Sequence, residues 1–550
     1  MPKHPLWLLG VAAVFEAALT AFPANDLATP PHYDIIIRNG RIIDGTAAPW
    51  FRGDVAIKGE KIATIGKLDP CATAPLVIDA HERYVTPGFV DVHTHCEDDL
   101  LKMPQAENFV RMGVTTVITG NCGSSYLRLD EAFTSMSLRG LGVNVASLIG
   151  HNTVRFAVMK NVARDPSTTE LAEMKRLVRE AMKDGALGLS TGLIYTPGIY
   201  SKTPEITELA KEVARFGGIY ATHMRSEGID VINALDEALT VGLAAKIPVQ
   251  VSHHKIVAPM RFGQTTITLA MMDKARDSGI DVACDQYVYT ASSTSISTML
   301  PDWAVEGTRE EVQSRLRDPA TREKIIAGII EERRDKSGRK DLGYAVVASC
   351  RADPSINGKN LLELARERYG CDSWHAQAQV VVDIMTSGGA SMVFHSMAED
   401  DVQRVACHHN TAFASDSGVR AFGVGVPHPR GYGNNARILQ RYVRELKLLH
   451  LEEAVRRMTS LAAQRMHIFD RGILRPGMTA DLVVFDLDRV KEKTTFDQPH
   501  AYAEGFDYVM VNGRFVIEEG KLTGALPGKI LYGPGKGRDP DTACENAFRW

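Results

Sequence analysis

From Phe89 onward the chain alternates short apolar runs with amphipathic stretches, and this rhythm constrains the fold more than any other feature. Apolar runs fall at Phe89–Val92, Thr115–Gly120, Asn144–Ile149, Ala186–Ser190, Gly218–Thr222, Pro248–Ser252, Asp281–Asp285 and Thr411–Ser415. Helical periodicity separates several of them, at Thr169–Lys183, Pro204–Phe216, Gly228–Leu243 and Thr266–Ser278. Repeats of this size predict parallel strands joined by right-handed crossovers. Eight such strands suit a closed (β/α)8 TIM-like barrel, an α/β fold whose chemistry sits at the C-terminal strand ends.

Two departures from the rhythm suggest further units. More than a hundred residues separate the strands at 281 and 411, and the charged helical stretch Arg309–Arg339 lies between them. Residues 292–345 are expected to form an inserted subdomain over the barrel mouth, where such insertions shape substrate pockets. Before the barrel, DIIIRNGRIID (34–44) carries an Asn-Gly hairpin signal between apolar runs, and short strands follow at Asp54–Ile65 and Leu76–Val85. After Gly472 the pattern returns to strands, at Ala480–Asp486, Tyr508–Val511 and Arg514–Glu519. Neither end alone can build a good core. Residues 33–88 and 470–535 are therefore expected to form one small β-sandwich beside a barrel spanning 89–469.

The strand ends carry the chemistry. In TPGFVDVHTHCEDD (86–99), His93 and His95 are two residues apart, so both imidazoles leave one strand face. Cys96 points the other way and is left out of the site. The second strand ends at Cys122 in GNCG, the fifth at His223 in ATHMRSE, the sixth at His253 or His254 in VSHHK, and the eighth at Asp416 in ASDSG. Each residue alone is a weak signal. Together they place a ring of metal ligands on one barrel face. Imidazole, carboxylate and one thiolate suit zinc. Zinc lowers the pKa of bound water to about 7 and so provides hydroxide at neutral pH. Asp416 is the candidate to take a proton and pass it to a leaving group, which gives metal-assisted hydrolysis of an acyl or related bond.

Composition removes other classes. The 550 residues are 44% hydrophobic and 24% charged, enough for a large core and more than one domain. A formal net charge of −4 with no basic stripe argues against nucleic acid as a partner. Eight scattered cysteines form no CxxC pair and no disulfide framework. Residues 1–25 read as a signal peptide, with a basic start and an apolar run at Leu6–Phe15 too short to span a membrane. Export to the periplasm or medium is expected, with no membrane span once the leader is removed.

Between about residues 34 and 530 the chain resembles the amidohydrolase superfamily and, within it, the N-acyl-D-amino-acid deacylases (D-aminoacylases). The pieces that carry the likeness are TPGFVDVHTHCEDD, GVTTVITGNCG, GHNTVR, GALGLSTGLIYTPGIYSKTPEI, ATHMRSEG, VSHHK, ASDSG with HPRGYG, and RGILRPGMTADLVVFD with VMVNG. GNCG and GLSTGLIYTPG point to the deacylase branch. The resemblance implies hydrolysis of a small N-acyl-D-amino acid to a carboxylate and a free D-amino acid. It implies a tight zinc site at Cys122, His223 and the strand-six histidine, His253, with His254 as fallback. It implies a second, weaker site at His93, His95 and Asp416 with Cys122 shared, and Asp416 as catalytic base and acid. Tyr195 and Lys255 match positions that hold substrate, Tyr287 and Arg430 match positions near its carboxylate, and Met397 resembles a side-chain pocket position. Arg437 competes with Arg430. Tyr287-Val288-Tyr289 lacks a proline expected between the tyrosines. Alternatives are an amidase or dipeptidase acting on D-residues, and a cyclic-amide hydrolase of the hydantoinase or dihydroorotase kind. The latter normally bridges two metals with a modified lysine, which GLSTGL does not offer.

Overall fold

The computed structural model describes residues 31–538 and 540. The expected leader lies outside the described residues. Parallel strands occur at each expected position. Phe89–Asp91, Val114–Thr119 and Asn144–Ser147 form one parallel sheet. Ile149–Gly150, Gly188–Gly192, Ile219–His223, Val249–Val251, Val282–Gln286 and Thr411–Phe413 form a second. Val114–Thr119 is buried at every position, as a strand covered on both faces requires. Backbone bonds bridge the two sheets: Leu148 N donates to Thr119 O (3.0 Å), Asp416 N to His93 O (2.9 Å) and His95 N to Ser417 O (2.9 Å).

The helices between them follow from local chemistry. Helix Thr168–Asp184 starts at a reciprocal cap, with Ser167 Oγ accepting from Glu170 N and Glu170 Oε2 accepting from Ser167 N. It buries Met174, Val178, Ala181 and Met182 along one stripe and ends at Gly185, whose φ of 111° suits a residue without Cβ. Helix Thr203–Ala214 carries Pro204 in its first turn, where no intrahelical donor is lost. Among the described residues, no helix is long and apolar enough to cross a membrane.

Both chain ends contribute to one nine-stranded sheet. They meet where Leu482–Phe485 pairs antiparallel with Tyr84–Pro87, and Ile37, Val55 and Val85 share a core with Leu482, Val484 and Met510. Tyr84–Pro87 passes through Gly88 directly into the first parallel strand. A Cβ on Gly88 would lie 2.2 Å from Thr115 Oγ1, so only glycine permits this approach. Asp481 fixes the junction. Its carboxylate meets Arg471 (2.6 Å), Asn144 Nδ2 (3.0 Å) and Asn512 N (2.7 Å), and its carbonyl accepts from Gly88 N (2.8 Å).

The interval after the seventh strand position forms a unit larger than the expected 292–345. Its three-stranded antiparallel sheet has Ser391–Phe394 in the middle, flanked by Ser292–Ser295 and Ala345–Ser349. Helices Arg309–Arg317, Pro319–Ile330, Leu361–Tyr369 and Trp374–Thr386 close over a separate core that includes Leu316, Ile326, Val347, Leu364, Val381 and Met392. The central strand arrives last in sequence, so the unit extends to about residue 396.

Replacing Asp481 with Ala would leave the buried Arg471 guanidinium with Asp470 as its remaining carboxylate partner and the Asn512 backbone N–H without its acceptor. A loss of about 1–3 kcal/mol is expected, measurable by denaturant unfolding. A loss under about 1 kcal/mol would show that the junction is held by apolar packing alone.

Candidate metal centre

Six of the ligand candidates converge where the parallel strands end. Cys122 Sγ lies 3.3 Å from His93 Nε2, 3.6 Å from His223 Nδ1 and 3.4 Å from His253 Nε2. Asp416 Oδ1 lies 3.2 Å from His95 Nε2 and 3.7 Å from His93 Nε2. Two overlapping groups result, His93 with Cys122 and His253, and His93 with His95 and Asp416. Cys122, His253 and Asp416 have φ values of 51°, 34° and 50°. Each leaves its strand through the left-handed region, a strained turn of the kind that clusters at functional sites.

Neighbouring backbone enforces these turns. A Cβ on Gly192 would stand 2.0 Å from Cys122 O, and one on Gly123 would stand 2.2 Å from Asn152 Oδ1. The glycines of GNCG and GLSTGL therefore let two strand ends touch. Asp91 joins the first and last strands, accepting from His93 N (3.2 Å) and from Ser415 N (3.1 Å). Burial pushes its carboxyl up to about 6.

The donor set fits a metal. Burial opposes ionisation of the Cys122 thiol, yet His93 and His253 beside it hold it well below the ordinary thiol range. His93 Nδ1 and His223 Nε2 are buried without a hydrogen-bond partner among the described residues. Burial likewise disfavours charge on Asp416, but Arg430, His253 and His95 hold it well below the usual carboxylate range. Four imidazoles, a thiolate and a carboxylate make a zinc-type set.

Sequence reasoning missed the carboxylates that orient these ligands. Glu227 is buried. Its Oε1 accepts from Lys255 Nζ (2.6 Å) and lies 3.0 Å from His253 Nδ1, and its Oε2 lies 3.7 Å from His223 Nε2. The signal was its place four residues after His223 in ATHMRSEG. Asp285 Oδ1 accepts from His253 N (2.8 Å) and lies 3.3 Å from His93 Nδ1. Such outer carboxylates fix ring orientation in metal sites.

The remaining expected residues divide. Tyr195, Lys255, Tyr287 and Arg430 line one cavity of about 980 Å3 together with the ligand cluster. Arg430 pairs with Asp416 Oδ2 (2.9 Å) and covers the Tyr287 ring at 4.4 Å. Tyr195 sets its ring against His223 at 5.1 Å and its hydroxyl 2.9 Å from Thr294 Oγ1, on the inserted unit. Of the two candidates in VSHHK, His253 enters the cluster. His254 turns to Thr268 Oγ1 (2.7 Å), and burial lowers it to about 4. Met397 does not line the cavity. It packs behind Tyr287, with Sδ 4.0 Å from the hydroxyl. Arg437 is committed to Glu492 (2.9 Å) and Val288 O (2.7 Å). Cys96 is buried beside Thr94 Oγ1 (3.4 Å), outside the cluster.

The sequence profile described as "Amidohydrolase family" matches residues 76–517. The chain is 33% identical to D-aminoacylase of Alcaligenes xylosoxydans xylosoxydans in a match 527 positions long that covers 91% of this chain and 97% of that protein. A solved D-aminoacylase, studied for one-metal activation and second-metal attenuation of its binuclear centre, matches with a TM-score of 0.78 at 33% identity, over 91% of this chain and 100% of that one. N-acyl-D-glutamate deacylase from Bordetella bronchiseptica, solved with zinc and a phosphonate mimic of the tetrahedral intermediate, matches with a TM-score of 0.78 at 31% identity and the same coverage. The chain belongs to the amidohydrolase family.

Two outcomes follow from this geometry. Glu227→Gln should weaken metal retention about 10–100-fold, read by competition with a chelator; unchanged retention would exclude an orienting role. His428, buried beside Tyr287, accepts from Arg430 N at Nδ1 (3.0 Å) and donates from Nε2 to Ala291 O (2.9 Å). Protonating Nδ1 would break the first bond, and burial together with Arg430 holds the imidazole well below its usual range. A depressed histidine stabilises the fold above the unfolded value near 6.5, and that stability is lost as pH falls toward the folded value. Between pH 7.5 and 5.5 the wild type should lose about 1.4 kcal/mol more than His428→Asn, whose Oδ1 can still accept from Arg430 N. Parallel unfolding curves for the two proteins would refute this.

Proposed function

We propose that this chain is a zinc-dependent amidohydrolase that cleaves N-acyl-D-amino acids to a carboxylate and a free D-amino acid. The convergence of Cys122 with His93, His223, His253 and Asp416 carries the reading. Identity along nearly the whole chain to a D-aminoacylase supports it. We read the parallel strands as a closed (β/α)8 barrel, supported by the bonds from Asp416 N to His93 O and from His95 N to Ser417 O. We read the nine-stranded sheet as a small β-sandwich beside it, and the unit between the seventh and eighth strands as a cover over its mouth. An exported enzyme is the reading for the leader.

Cys122, His223 and His253 would hold the tight zinc. His93, His95 and Asp416, with Cys122 shared, would hold a second, weaker ion. Bound zinc acidifies water and polarises a carbonyl. Asp416, kept ionised by Arg430, takes the proton of the attacking water and returns it to the departing nitrogen. Lys255, Arg430 and the Tyr287 hydroxyl face the substrate carboxylate, and Tyr195 borders the acyl group. Chirality follows from fixing the carboxylate on that cationic wall while the amide lies against Asp416.

Amine release from paired N-acetyl-D- and N-acetyl-L-amino acids tests the reading, with release from the D series only as the expected result. Asp416→Asn should lower kcat by about 10²–10⁴-fold while one zinc per chain remains bound. Near-normal turnover in that variant would remove Asp416 from the proton path. Equal release from both series would remove the D-specific reading.

A further inference from the structure

The cavity holds more positive charge than one substrate carboxylate needs. Four Lys or Arg side chains line it: Lys255, Arg351, Arg420 and Arg430. Two are already balanced. Lys255 is paired with Glu227 (2.6 Å) and Arg430 with Asp416 (2.9 Å). Arg420 is not. Its Nε makes one bond, to Ser417 Oγ at 3.3 Å, and its terminal nitrogens meet no acceptor among the described residues. Among the described residues no carboxylate comes within ion-pair distance of it; Asp99 and Asp416 attract it from farther off, while it is largely enclosed and stands near Arg430. Arg351, on the inserted unit, is exposed to the cavity and has no hydrogen-bond or ion-pair partner among the described residues. Both lie on one wall, because Val426 N donates to Ala348 O (2.8 Å) and so seats the loop after Asp416 against the strand that leads to Arg351.

An enclosed guanidinium with free donors aimed into a substrate cavity is costly unless an anion completes it. Asp99 and Asp416 attract this guanidinium only from beyond contact, and no described residue accepts from its terminal nitrogens. The lining also offers polar groups, Ser349 two residues before Arg351 and Ser391 paired with Ser349 across the sheet. We propose that Arg420, assisted by Arg351, forms a second anion subsite that selects substrates with two carboxylates. The inference rests on the deacylase reading and deepens it. One carboxylate is the α-carboxylate. The other belongs either to an acidic D side chain or to a dicarboxylic acyl arm.

Three substrates separate these sources: N-acetyl-D-glutamate, N-succinyl-D-leucine and, as the single-carboxylate reference, N-acetyl-D-leucine. Hydrolysis is measured on zinc-loaded enzyme, and binding is measured by calorimetry on Asp416→Asn. At least one dianion should exceed the reference by about tenfold or more in kcat/KM and in affinity. Whichever dianion does so identifies the source. Arg420→Met and Arg351→Met should each shrink that ratio several-fold, mainly through KM. Arg351 is exposed, so its variant remains informative if Arg420→Met folds poorly. A wild-type ratio near one, or ratios unchanged in both variants, would overturn the subsite. Absence of turnover on all three, with dianions still bound more tightly, would end the deacylase reading and leave the subsite standing.

Discussion

Everything at the mouth of this protein depends on one buried thiol set among three imidazoles. Cys122 Sγ lies within 3.6 Å of nitrogens from His93, His223 and His253, delivered by three different strands. Such a cluster is expensive to desolvate and has little value as apolar packing. A metal converts the same atoms into the most strongly bound point in the structure, and its binding energy becomes folding energy. The fold must therefore hold the strand ends in register before the ion arrives. Asp91, bonded to both the first and last strands, and the Asp416–His93 backbone bond do so from within.

The same logic extends outward through carboxylates. Glu227 meets His253, His223 and Lys255 together, so one side chain orients two of the clustered imidazoles and a cavity-lining cation. Asp481 repeats the device at the opposite boundary, joining Arg471, Asn144 and Asn512 where the nine-stranded sheet meets the first parallel strands. Both are buried charges with full sets of partners, the condition under which burial of charge is tolerated.

How much of this could be read from the sequence depends on whether a residue's role is local. His93 and His95 declared a shared face through period-two spacing, and the amphipathic helices declared themselves through caps and stripes. Spacing alone left His253 and His254 open and the family resemblance favoured His253; the structure supplies the physical reason, a turn at His253 with φ of 34° that sends its ring inward. The insert was cut short at 345 because its central strand, Ser391–Phe394, lies far along the chain. Its edge strand, Ser292–Ser295, has no apolar alternation to betray it. Met397 and Arg437 matched a pattern but were claimed by other neighbours, Tyr287 and Glu492. Arg420 gave no motif signal at all. Its meaning lies in terminal donors that no described residue fills, and that is a property of three-dimensional placement.

The metal-ligand cluster and the anion subsite proposed above thus come from different parts of the chain. The ligand cluster and Asp416 rise from the parallel strands, whose all-buried positions tolerate little change in volume. The facing wall comes from the inserted unit and the 417–430 loop, joined to each other by the bonds from Arg430 to Ser293 O and His428 to Ala291 O; Tyr195 ties the unit in through Thr294, and Arg430 meets the cluster at Asp416. Those bonds fix distance across the cavity without fixing what lines it. Substitutions at Arg351 or around Ser391 can therefore alter which groups are admitted while the metal-binding geometry stays where the strands put it. The reverse does not hold, because a shift at Gly192 or Gly123 would press directly on the backbone that presents Cys122.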